Sequence, residues 1–129
     1  METDNKIIIF GGSGFVGFHL INLLIKKYDR HLTVIIVDIN KPLIDHEMIY
    51  YVYSDLTSEF DCTLLDKFKL NKQSIIINLI ALSKIPGFKK HEYFNTNILS
   101  SKNIVKAANQ LFIEKIIFIS SMSVYGARE

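Results

Sequence analysis

Five short apolar runs alternate with amphipathic segments, and a glycine cluster stands where the first run gives way to the first of those segments; together these predict an α/β fold on a parallel sheet. The runs lie at 6–10, 33–37, 49–53, 74–79 and 115–120, and most are apolar almost throughout instead of alternating. Such strands are expected to be covered on both faces. Helical segments at 15–27, 61–68 and 93–111 separate them, which implies right-handed crossovers between parallel strands.

The first run, Ile7 to Phe10, has the composition of a buried strand and leads directly into glycines at 11, 12, 14 and 17. In a strand-turn-helix unit, Gly11 supplies the backbone angles of the turn. Gly14 lets a pyrophosphate approach the main chain, and Gly17 allows close packing of helix on strand. The helix N-terminus then faces the anion. Glycine-rich turns also occur for structural reasons alone. Here the pattern follows a strand-like run, and Asp38 closes a second such run about twenty residues on, which together favour a dinucleotide cradle. The link to the third run holds Asn40, Lys41, Pro42 and Asp45 and reads as a loop with at most one turn of helix. In the last helical segment, Val105, Ala108, Leu111 and Phe112 are spaced for one buried face. A dinucleotide-binding unit of this kind has the doubly wound, Rossmann-like strand order 3-2-1-4-5. The sheet is expected to be truncated after the fifth strand, which leaves Ile116, Ile117, Phe118 and Ile119 at an exposed edge. Such an edge favours a homo-oligomer.

The chain has 129 residues, of which 49% are hydrophobic, enough for one domain with one core. Its net charge of +2 comes from interspersed residues and short pairs such as Lys26-Lys27, so a nucleic-acid surface is not implied. Cys62 is the only cysteine, which rules out an internal disulfide framework; it reads as a small residue near a helix start. The N-terminus lacks the order of a signal peptide, and no apolar run approaches the ~20 residues of a membrane helix. A cytoplasmic setting with no membrane contact fits.

The spacing Gly11-x-x-Gly14-Phe15-x-Gly17, together with Ser120-Ser121-Met-Ser-Val-Tyr-Gly126, resembles the extended short-chain dehydrogenase/reductases, and within them the NAD-dependent epimerase/dehydratase branch that includes nucleotide-sugar 4-epimerases. The similarity spans nearly the whole chain, with the two motifs at the ends of the first and fifth strands. It places Gly11, Gly14, Phe15 and Gly17 in the cofactor turn. Asp38 is placed on the adenosine ribose hydroxyls, where its charge would repel the 2′-phosphate of NADP and favour NAD. A solvated aspartate opening a turn is the plain alternative, and Lys41 keeps NADP as a minor option. Asp55, with Leu56 beside it, follows the third strand where the family has an adenine-contacting acid; a turn or capping role competes with this. Asn78-Leu-Ile-Ala81 stands where the family has a small-residue run beside the cofactor, which assigns Ala81 to the site. Ile80 departs from that pattern and either crowds the dinucleotide or points into the core. Tyr93-x-x-x-Asn97 matches a family motif and brings Asn97 toward the cofactor, although an ordinary helix-surface amide is the bland reading. Ser121 matches the catalytic Ser or Thr that hydrogen-bonds the reacting hydroxyl, against a plain loop serine.

The family's base lies in a Tyr-x-x-x-Lys, and this sequence contains none; four residues after Tyr125 stands Glu129. Tyr125 is therefore a packing or substrate-edge aromatic. His46-Glu47 and His91-Glu92 lack the second histidine of a zinc-protease motif, so no metal site is expected. His19 reads as a solvated residue on the polar face of the first helix. The glycines lack the following Lys-Ser or Lys-Thr of a mononucleotide loop. The resemblance thus implies the NAD-binding N-terminal part of a nucleotide-sugar epimerase, dehydratase or reductase, with turnover not expected from this chain alone. The alternatives are a stand-alone dinucleotide-binding or sensing module, a subunit completed by another chain, and a fragment without an independent role. The loop from Ser83 to Gly87, with Lys84, is expected to border the substrate side.

Overall fold

A computed structural model describes residues 5–81 and 89–119. Its strands are β1 (Asn5–Phe10), β2 (Leu32–Asp38), β3 (Ile49–Tyr53), β4 (Ile75–Asn78) and β5 (Lys115–Phe118). They form a sheet in the order β3-β2-β1-β4-β5, and every neighbouring pair is parallel. The predicted order 3-2-1-4-5 is the observed one. In register, Ile8 lies beside Ile35 and Ile76, while Ile9 lies beside Ile36 and Ile77. Because side chains alternate along a strand, these two rows point to opposite faces. Ile8, Phe10, Ile35, Val37 and Ile76 pack with Leu65, Phe68, Ile104 and Ala108. Ile7, Ile9, Val34, Ile36 and Ile77 pack with Ile21 and Met48 on the other side. The continuous apolar runs follow from this burial on both faces.

The helix α1 (Phe15–Tyr28) covers the second of these faces, with Gly14 as its N-cap and Lys26 and Lys27 in its last turn, where they favour the negative end of the helix dipole. The first face is covered by a 3-10 segment, Cys62–Phe68, and by a helical rod in three parts: α2 (Lys90–Tyr93), a π segment (Phe94–Leu99) and α3 (Ser100–Gln110). Two of these differ from the regular helices expected. The residues of 62–68 that meet the core are Cys62, Leu65 and Phe68, a spacing of three that matches the 3-10 repeat. Asp61 caps that segment by accepting from the Thr63 amide at 3.0 Å, and Lys6 Nζ donates to the carbonyl of Phe68 at its other end. In the rod, Ser100 Oγ donates to the Thr96 carbonyl, and Ser101 Oγ donates to the Asn97 carbonyl at 2.7 Å. These hydroxyls compete with the backbone ladder where the π segment meets α3. The rod also begins earlier than expected, because Glu92 reaches back to accept from the Lys89 amide at 2.7 Å.

The segment from 39 to 48 holds bends and turns and no helix, as its composition predicts. At β5, Ile117 and Phe118 are about half exposed and Ile119 is 58% exposed, whereas Ile116 packs against the core. Of the four residues expected at that edge, three are thus exposed among the described residues. Among the described residues no helix is long and apolar enough to cross a membrane.

Candidate functional site

The turn after β1 is fixed from both neighbouring strands. The Gly11 amide donates to the Val37 carbonyl and the Leu79 amide donates to the Phe10 carbonyl, each at 2.8 Å. Gly11 has φ +81°, a conformation that side chains disfavour, and a Cβ there would lie 2.8 Å from the Ile80 amide nitrogen. A Cβ on Gly17 would overlap the Gly12 carbonyl group, so the first turn of α1 rests on the glycine turn itself as well as on the sheet. Gly14 is different: a Cβ there would meet nothing within 4 Å. The space above Gly14 is open, and the first amides of α1 face it without intrahelical acceptors.

Across this opening stands Asp38, at the C-terminal end of β2. Its two carboxylate oxygens are held separately: the Ser13 amide donates to Oδ2 at 3.0 Å and the Asn40 amide to Oδ1 at 2.9 Å. Ser13 Oγ donates to the Asn40 carbonyl at 2.6 Å. Beneath, the Tyr51 hydroxyl donates to the Asp38 carbonyl at 3.1 Å. Burial, and then the charge of Asp38, push the Tyr51 phenol above its ordinary value, so it remains a donor at neutral pH.

These residues line a cleft of about 320 Å³, within the size range of small-molecule sites. Gly11, Ser13, Gly14, Asp38 and Asn40 form one wall, and Ser54 to Thr57 form a second. Leu79, Ile80 and Ala81 continue from β4, while Thr96 and Ser100 reach in from the rod. Asp55 carries the turn role as well as lining the cleft, since its Oδ1 accepts from the Thr57 amide at 3.0 Å and the Thr57 hydroxyl at 2.7 Å. Asn103 of α3 fixes this loop by donating to the carbonyls of Leu56 and Ser58 at 2.8 and 2.9 Å. Ile80 packs against the core, as one of its two readings had it, and it also lines the cleft.

Of the residues singled out in the sequence, Gly11, Gly14, Asp38, Asp55, Leu56 and Ala81 meet at the cleft. Gly17 lies beneath it, buried. Phe15 is 79% exposed, with its ring edge-on to His19 at 4.6 Å, outside the cleft lining. Asn97 lies in the π segment, where its carbonyl accepts from Ser101; Thr96 and Ser100 are the rod residues that reach the cleft. Ser121, Tyr125 and the loop from Ser83 to Gly87 lie outside the described residues. Ser13, Asn40, Thr57, Thr96 and Ser100 were not anticipated. Ser13 sits inside the glycine motif and was legible there, whereas Thr96 and Ser100 depend on a π turn that a regular helical period does not foresee.

The site therefore combines an open, glycine-lined helix N-terminus with a fixed carboxylate across a narrow cleft. Amides at a helix start suit a diphosphate, and a carboxylate with free lone pairs suits neighbouring hydroxyl groups. Among the described residues there is no group of three or more His, Cys, Asp and Glu placed to hold a metal ion.

Residues 8–129 match the model of the 3-beta hydroxysteroid dehydrogenase/isomerase family. The chain is 27% identical to the decarboxylating sterol-4-alpha-carboxylate 3-dehydrogenase of Candida albicans, over 95% of this chain and 36% of that protein. It is 29% identical to the dTDP-D-glucose 4,6-dehydratase of Dictyostelium discoideum, over 95% of this chain and 30% of the relative. The solved structure of MoeE5 in complex with UDP-glucose and NAD superposes with a TM-score of 0.77 at 25% identity, covering 97% of this chain and 39% of that one. The chain thus spans between 30% and 39% of the length of these proteins. On the match of almost its whole length, the chain belongs to the 3-beta hydroxysteroid dehydrogenase/isomerase family, within the extended short-chain dehydrogenase/reductases.

Proposed function

We propose that this chain is a single NAD-binding domain, the cofactor-holding part of an NAD-dependent epimerase, dehydratase or reductase. The observation that carries this reading is the pairing of Asp38 with the glycine turn across one cleft. The residues fit the cofactor. Gly14 leaves the room that a diphosphate needs beside the first amides of α1. Each Asp38 oxygen accepts one backbone N–H and keeps lone-pair capacity for a ribose hydroxyl. Among the described residues the cleft lining holds no Lys or Arg, so on this side a 2′-phosphate would meet the Asp38 charge, which favours NAD over NADP. Lys41, the residue that would have kept NADP in play, is exposed and outside the lining.

Bound NAD would supply hydride transfer, and the chain's own residues bind and orient it. Gly11 and Gly14 shape the diphosphate turn, supported by Gly17, and Phe15 contributes its backbone amide as the first residue of α1 while its ring stays outside the cleft. Asp38 takes the ribose, while Asp55 and Leu56 flank the adenine. Ala81 borders the nicotinamide side, where Thr96, the neighbour of Asn97, and Ser100 reach in from the rod. Ser121 is assigned to hydrogen-bond the reacting hydroxyl of the substrate, for which a nucleotide sugar is the class suggested by the dehydratase relative and by the UDP-glucose bound to MoeE5.

Calorimetric titration with NAD, NADH and NADP tests the reading. Asp38→Ala is expected to weaken NAD by about tenfold or more, since a hydrogen bond to a charged group contributes about 1.5–3 kcal/mol. Absence of saturable binding by any of the three would overturn it, and tighter binding of NADP than NAD would overturn the cofactor assignment.

A further inference from the structure

We propose that Ser13 is a positioning residue that sets the preference for an unphosphorylated ribose, by tying the glycine turn to the 38–40 turn through its bond to Asn40. This rests on the dinucleotide reading above and deepens it. Three bonds close one small ring of contacts: Ser13 N–H to Asp38 Oδ2, Asn40 N–H to Asp38 Oδ1, and Ser13 Oγ to the Asn40 carbonyl. The first two orient the carboxylate. The third joins the two backbone segments that carry the donors and so fixes the distance between them. Asn40 is exposed and the segment after it is a bend without regular structure, so the serine hydroxyl is a tie between that turn and the rigid start of α1.

The consequence differs for the two cofactors. With the tie in place, Asp38 presents its remaining lone pairs to a diol and its charge to any phosphate on that diol. With the tie cut, the 38–40 turn gains freedom and the carboxylate, still bonded to both amides, is held less closely. NAD then meets less well aligned acceptors for its hydroxyls, while NADP meets a weaker repulsion. The two affinities should move toward each other, which a general loosening of the fold would not produce.

The experiment measures dissociation constants for NAD and NADP with the 129-residue chain, Ser13→Ala, Asp38→Ala, the double variant and Ser13→Thr. Ser13→Ala is expected to weaken NAD about fivefold, the effect of losing one neutral hydrogen bond, and to lower the NAD-over-NADP preference by at least that factor. In the Asp38→Ala background the same change should alter neither constant more than about twofold, because coupled residues fail to add. Ser13→Thr, which keeps a hydroxyl, should restore most of the preference. An equal loss for both cofactors, or an undiminished effect without Asp38, would overturn the proposal while leaving dinucleotide binding intact. A wild-type chain that binds neither cofactor would instead remove the reading on which the proposal rests. Amide hydrogen exchange in the ligand-free protein reads the tie independently: Ser13→Ala should speed exchange at Asn40 about tenfold and leave Ile8 unchanged. Unchanged exchange at Asn40 would also overturn it.

Discussion

Gly14 and Gly17 stand three positions apart and respond in opposite ways to a methyl group. At Gly17 the new carbon would overlap the Gly12 carbonyl group, with the Gly12 Cα 2.7 Å away, and backbone cannot move aside as a side-chain tip can. Gly17→Ala is therefore expected to destabilise the chain by about 3 kcal/mol, the upper part of the range for overpacking, as read by urea unfolding. At Gly14 the methyl group enters open space. Gly14→Ala should cost about 1 kcal/mol through the poorer N-cap, yet obstruct the diphosphate and weaken NAD by at least tenfold. Equal effects of the two variants on stability would contradict this assignment of roles. The glycine spacing shows that both residues matter. It does not show which supports the turn and which admits a ligand, because that depends on where Gly12 lies relative to the start of α1.

The elements that were legible in the sequence are those whose period is dictated by burial on a sheet. β1, β2 and β3 appear within a residue of their expected ends, because Ile, Val and Tyr runs fit a sheet covered on both faces. The less legible segments are those where polar side chains compete with the backbone. Cys62, Leu65 and Phe68 repeat every three residues, and that spacing was available as a sign of a 3-10 turn; Ser100 and Ser101, which bond to carbonyls four residues back, mark the π segment only once the structure is known. The 3-10 segment also carries a pH dependence. The Thr63 hydroxyl, followed by the Thr63 amide, holds the Asp61 carboxyl below its ordinary value. The folded chain thus binds the ionised carboxylate more strongly than the unfolded chain does. That contribution is present above the ordinary carboxylate value near 4 and is lost as pH falls through the lowered one. Asp61→Asn should flatten this part of the acid limb of the urea midpoint, and an unaltered limb would show that the cap contributes nothing.

For the whole molecule, strand order and two-sided burial followed from the alternation of strands and helices, and part of the cleft followed from the glycine motif, Asp38 and the resemblance that singled out Asp55, Leu56 and Ala81. The rest did not, since Thr57, Thr96 and Ser100 come together only through tertiary packing of the rod and the loop held by Asn103. The edge at β5 has its own consequence. Among the described residues β5 pairs with β4 alone and Ile117, Phe118 and Ile119 are exposed, which predicts concentration-dependent self-association of this 129-residue chain. Size-exclusion chromatography with light scattering would show it, and a monomer at all concentrations would contradict it.

An amide NMR titration of the chain with NAD reads the cleft residue by residue. If the glycine turn and Asp38 form one dinucleotide site, the amides of Ser13, Gly14, Phe15, Asn40, Leu56 and Thr57 shift together along a single binding curve, and those of Lys72 and Glu114 at the opposite end of the sheet stay still. Shifts that are absent, or that spare residues 13–15 while appearing elsewhere, would contradict the site described here.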